Sequence, residues 1–189
     1  MSEEEIRQIG MTSCRKPAAF ISRLGFDPQR SAFSSTEKRC KGIALLEIPQ
    51  AGDTNRKIWQ DTTWLQYGYM GPITTDEGGN VYTAPIPFVN TLDQNLKTIH
   101  TLYIIHSSSG KMEPFVQLPK IDSAAGVIPF GVLGLYYDCH GKKLYAASVG
   151  GSTQSSERGR IFALEMPGGK VVDVIKDIDA MGLFVGGVT

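Results

Sequence analysis

Apolar positions along this chain come in short runs, rich in β-branched and aromatic residues and separated by Gly, Asn, Asp and Ser. That is the pattern of strands joined by turns. Three of the runs superimpose: residues 42–47, 101–106 and 160–165 carry Ile43, Leu102 and Ile161 at a spacing of 59 residues in both intervals. Ahead of each stands an Asp followed by a turn and a further apolar pair. These are Asp27 before Ala32 and Phe33, Asp76 before Val81 and Tyr82, and Asp138 before Leu144 and Tyr145. Gly and Asn in such links supply the positive φ of tight hairpins. A fourth strand follows at 57–59, 112–117 and 171–175, after short turns at 107–111 and 167–170 and a longer link at 49–55. Helical periodicity is confined to one candidate turn at residues 3–9.

Each unit therefore reads as four antiparallel strands, A to D, and the fold class is all-β, built of β-propeller blades with a repeat of 59 residues. A single blade cannot bury both faces, so its neighbours must stack on it. A β-sandwich also has short strands and regular turns, but gives no reason for one strand to return at a fixed period. The units divide the chain into a segment at 1–17, blades at 18–61, 62–119 and 120–178, and the start of a further blade at 179–189. Closed propellers have four to eight blades, so the ring is expected to be incomplete. Either this is a fragment of a longer propeller, or two copies complete a six-bladed ring.

Composition changes the picture little. Hydrophobic residues make up 41% of the 189 and charged ones 20%, a globular balance. Basic and acidic residues number 19 each, so no net charge draws the chain to nucleic acid or to a membrane surface, and neither is an expected partner. Cys14, Cys40 and Cys139 are odd in number and lack metal-ligand spacing, so they are expected to be free thiols. The acidic start, Glu3 to Glu5, lacks the basic and apolar parts of a secretory signal. The expected location is cytoplasmic, or extracytoplasmic if a leader was trimmed.

Strand alternation puts the A–B and C–D turns on one face of such blades and the long connections, 60–69, 85–99, 120–129 and 150–159, on the other. Loops on a rigid scaffold are where binding residues concentrate. The candidate ligand-binding residues there are Trp64, Tyr67, Tyr69, Asn90, Asp122 and Arg158. The aromatics offer stacking surfaces, against the alternative of packing between blades. Asn90, Asp93, Asp122 and Asp61 carry oxygens suited to calcium, against the alternative of turn chemistry. Residues 150–159 are small, polar and bounded by Gly, but without a following helix they make no phosphate cradle. His100, His106 and His140 have no clustered spacing. Asp27, Asp76 and Asp138 read as local hairpin acceptors. No residue is singled out as catalytic or as a metal ligand.

Residues 71–84 and 134–148 resemble blades of the gluconolactonase/regucalcin-like and NHL-type six-bladed propellers, and the resemblance spans about residues 18 to 185. It implies a propeller whose lactonase members hold one divalent cation in the central channel through Glu, Asn and Asp and hydrolyse lactones or related esters. Other members only bind ligands. Where those lactonases begin a strand with Glu-Gly-Pro this chain has Met70-Gly71-Pro72, and the Asn-Gly-Leu start is represented by Leu133-Gly134-Leu135 or Phe130-Gly131-Val132. Met and Leu cannot ligate a hard cation. The expectation is a non-catalytic propeller binding a small molecule or protein at the long-loop face, with a metal-dependent lactonase as the alternative. A calcium ion is then expected only in a completed ring. A truncated product that associates through open blade edges is the third reading.

Overall fold

The computed structural model describes residues 14–35, 41–52, 56–86, 98–119 and 130–183. Strand formation follows the short apolar runs. The first sheet holds β1 (Ser31–Ser35), β2 (Ile43–Glu47) and β3 (Lys57–Trp59). A second holds β4 (Met70–Thr75), β5 (Val81–Pro85), β6 (Thr101–Ile105) and β7 (Met112–Gln117). A third holds β8 (Val132–Asp138), β9 (Lys143–Ser148), β10 (Arg160–Glu165) and β11 (Lys170–Lys176). In each sheet, strands pair antiparallel with their sequence neighbours. The chain is all-β, and the segments at 59-residue spacing form β2, β6 and β10.

The sheets stack in sequence order, with β4 packed against β1 and against β8. One core lies between the first and second sheets, where Ile43 and Leu45 meet Val81, Tyr103 and Ile105. Another lies between the second and third, where Tyr82, Leu102 and Ile104 meet Leu144, Phe162 and Leu164. Successive strand residues point to opposite faces. The middle sheet is covered on both, which is why β5 and β6 are buried along their whole length and read as continuous apolar runs instead of alternating ones. Each large side chain so buried contributes about 1.5–3 kcal/mol.

The C–D turns show how sequence sets local structure. Gly110 and Gly169 sit at φ of 76° and 70°, and their N–H groups return to the carbonyls of His106 and Glu165 at 2.8 and 2.9 Å. Only glycine adopts that backbone freely. Each is also roofed by a phenylalanine, Phe20 over Gly110 and Phe115 over Gly169, that leaves a Cβ little room.

Several expectations need correction. The first sheet has three strands, not four: helix α1 (Ala19–Arg23) precedes it, and the Asp27 turn leads straight into β1. Phe20 fills the core from that helix and stacks on Phe33, Trp59 and Trp64, so burial of one aromatic outweighed strand propensity. Helical structure also recurs as a 3-10 helix at Thr62–Tyr67, in what reads as a loop. The candidate turn at residues 3–9 lies outside the described residues. Finally, Cys14 and Cys139 are not free thiols but form a disulfide, with Cα atoms 6.2 Å apart across a separation of 125 residues. Spacing in sequence carries no trace of a pairing that stacking creates. Of the further blade expected at 179–189, residues 179–183 carry no strand structure, and the rest lies outside the described residues.

Candidate functional site

The connections between strands converge at one end of the stack. Gly42, before β2, donates to the Gly68 carbonyl and bridges to Tyr69, and Tyr69 in turn accepts from Ile86 after β5. Further along, Gly131 before β8 lies so close to the Ile99 carbonyl that a Cβ would collide with it, and Gly131 accepts from Val149 after β9 at 3.2 Å. A Cβ on Gly150 would stand 2.7 Å from the His100 ring. The links β1–β2, β3–β4, β5–β6, β7–β8 and β9–β10 are thus joined in one row.

One loop of this end, 150–159, is held by side-chain hydrogen bonds. Ser152 is buried and its hydroxyl donates to Asp179 Oδ1 at 2.5 Å. The same carboxylate oxygen accepts from the Gly159 N–H at 3.0 Å, and the Ser152 hydroxyl accepts from the Arg158 N–H at 2.9 Å. Residues beyond β11 therefore return to brace the loop from both its ends, and the Arg158 side chain is left exposed at its braced base. Sequence reading named Arg158 but missed Ser152 and Asp179, because the two lie 27 residues apart and nothing local links them.

The remaining candidates are placed differently. Trp64 is 0% exposed; it lies between the first and second sheets, stacks edge-on to Trp59 at 4.9 Å, and donates its indole N–H to the Gly110 carbonyl at 2.8 Å. No ring face remains for a ligand. Tyr69 is buried as well. Tyr67 is half-buried and its ring lies 4.5 Å from that of Tyr103, whose phenol is pushed up chiefly by burial. Asp61 caps the 3-10 helix, accepting from the N–H and hydroxyl of Thr63 at 2.8 and 2.6 Å. Asn90, Asp93 and Asp122 lie outside the described residues. Met70 is buried between the first and second sheets.

No family model, curated protein or solved structure matches this chain.

At the opposite end of the stack the carboxylates serve the turns. Asp76 accepts from the N–H groups of Gly78 and Asn80 at 2.8 Å each, from the Asn80 amide at 2.9 Å and from the Tyr82 hydroxyl at 3.0 Å. Burial first, and the Asp76 charge second, raise the Tyr82 phenol above its ordinary range. Asp138 accepts from His140 and Gly141. Asp27 accepts from the Gln29 N–H and the Arg30 guanidinium, and the Arg30 bond holds its carboxyl low. Lys142 pairs with Glu77 across the second and third sheets, which raises the lysine. Among the described residues no group of three or more His, Cys, Asp and Glu is placed to hold a metal ion, and no helix is long and apolar enough to cross a membrane.

A groove of about 370 Å³ opens elsewhere, on the outward face of the first sheet, lined by Ala44, Leu46, Ile48, Pro49 and Ile58 with Arg56 at its side. It is a sheet face, distinct from the row of loops.

Proposed function

We propose that this chain is part of a β-propeller scaffold that recognises a small molecule or protein through its loop end, with the braced loop 150–159 as one of the contacting elements. The observation that carries the reading is the convergence of five strand connections in one row, joined through Gly42, Tyr69, Gly131 and Gly150. A row of loops held by stacked sheets is fixed in position while its tips remain free to vary, which suits recognition. Support for the propeller architecture comes from sequence-ordered stacking of antiparallel meanders through their first strands, β1, β4 and β8. A cation site of the gluconolactonase kind gains no support from Met70, which is buried in a core. Recognition without turnover is therefore the preferred reading, and metal-dependent lactone hydrolysis the competing one.

Titration of the isotopically labelled protein with calcium, and then with an aldonolactone, separates them. Amide shifts clustered at 60–69 and 150–159 without lactone hydrolysis support recognition. Hydrolysis that requires the added cation replaces it with the lactonase reading. Shifts confined to the turns at 76–80, 106–111 and 138–142 would sink both.

A further inference from the structure

We propose that the outward faces of the first and third sheets are two halves of one interface, and that a second copy of this chain fills it. The sheet registers assign the faces. Ile43 and Leu45 of β2 point toward the second sheet, and Leu102 and Ile104 of β6, 59 residues on, point toward the third. Tyr103 and Ile105 of β6 point back toward the first sheet, and Phe162 and Leu164 of β10 point back toward the second. Every sheet thus presents one kind of face to the sheet before it and the other kind to the sheet after it.

Extending that rule to the ends of the stack leaves one face of each kind open over part of its area among the described residues. Ala44 and Leu46, which correspond to the buried Tyr103 and Ile105, line the open groove of the first sheet. Beside them Ile58, the register partner of Leu46, is 61% exposed. On the third sheet Ile161 corresponds to the buried Leu102, and its register partner Ile175 is 54% exposed. A Cβ on Gly134 would lie 3.5 Å from Met181 and Gly182, so residues after β11 reach the β8 edge of that face, where Ala147 is buried, and leave the β11 side open. The groove is of the kind that receives a following sheet, and the third sheet carries the face that such a groove receives. The occupant whose surface fits both open faces is therefore another copy. With two copies, each groove takes the other's third sheet, giving two equivalent contacts and a closed pair.

The inference rests on sheet registers and not on what the loop end binds, so the two fail separately. The test uses sedimentation on the whole chain and two surface variants, Ile58→Asp and Ile175→Asp, whose sites are exposed enough to leave the fold intact by circular dichroism. Wild type is expected at twice the 20.6 kDa of one chain, and each variant alone at the single mass. An equimolar mixture of the variants regains the double mass, because one intact groove then meets one intact third sheet. A monomeric wild type overturns the proposal. So does a variant that keeps the wild-type mass, which would mean that like faces pair with like, and so does a mixture that stays monomeric. If either Asp variant fails to fold, Ile58→Ser and Ile175→Ser replace the pair with the same expected outcomes.

Discussion

Replacing Trp64 by Phe asks whether this residue holds the fold or waits for a ligand. The indole N–H donates to the Gly110 carbonyl at 2.8 Å in a site closed to solvent. Losing that bond costs about 1 kcal/mol, and leaving a buried carbonyl without its donor adds about 1 kcal/mol more. The smaller ring leaves a void of roughly 35 Å³, which at about 24 cal/mol per Å³ adds about 1 kcal/mol. Contacts with Phe20, Phe33 and Trp59 are partly kept, since Phe is aromatic. The sum is about 3 kcal/mol, which for a chain of this length lowers the melting temperature by roughly 6–12 °C. Urea unfolding followed by the fluorescence of the remaining Trp59 measures it, with an unchanged denaturant slope showing that the unfolded state is the same. A variant within about 0.5 kcal/mol of wild type, the range of a neutral surface change, would refute the core reading.

Other expectations follow from the same contacts. Cys14→Ser or Cys139→Ser should lower stability by about 5 kcal/mol on the loop-entropy account, and wild type with dithiothreitol should match the variant. Unfolded without reductant, the chain should titrate as a single thiol, Cys40; three thiols would refute the Cys14–Cys139 bridge. The raised Tyr82 phenol is neutral in the folded state. Its stabilisation is therefore complete below the unfolded value of about 10, and is lost as pH rises above that value toward the higher folded one. Tyr82→Phe should flatten the alkaline limb of the stability profile while lowering stability at neutral pH by about 1 kcal/mol through the lost bond to Asp76. An alkaline limb as steep as wild type would count against the assignment. Asp179→Asn keeps an oxygen but loses its charge, so hydrogen exchange should quicken at Gly159 and Arg158 and stay unchanged in β6; uniform protection would show that the brace does not hold the loop.

What could be read from the sequence was whatever depends on neighbours along the chain. Strand positions followed from apolar runs, and the turns at Asp76 and Asp138 followed from an acceptor two or three residues before N–H groups that need one. Contacts made by stacking were not legible. Trp64, Tyr67 and Tyr69 stand in a stretch that reads as a loop, and only the arrival of the second sheet turns Trp64 into a core residue. The same limit hid Cys14–Cys139 and Ser152–Asp179, whose partners come from different elements. For α1 the signal was present but ambiguous: residues 19–23 are short enough to pass for a strand, and the choice was made by where Phe20 had to go.

Those two cross-links also explain how the third sheet can stand at the end of the stack. The middle sheet is held on both faces, whereas the third is packed along the whole of its inner face but only in part on its outer one among the described residues, where Ala147 and Ala163 are buried and Ile175 of the outer strand is 54% exposed. Apolar burial alone therefore contributes less to it. Both long-range ties fall on this sheet: Cys139, in the turn after β8, is bridged to Cys14, and the β9–β10 loop is braced by Asp179. Segments from before the first sheet and after the last thus grip opposite ends of the third. The Lys142–Glu77 pair adds a contact to the second sheet near the disulfide end. Holding the sheet by its ends leaves the β11 side of its outward face open, where Ile175 is 54% exposed, and that open side is available to pack against another surface.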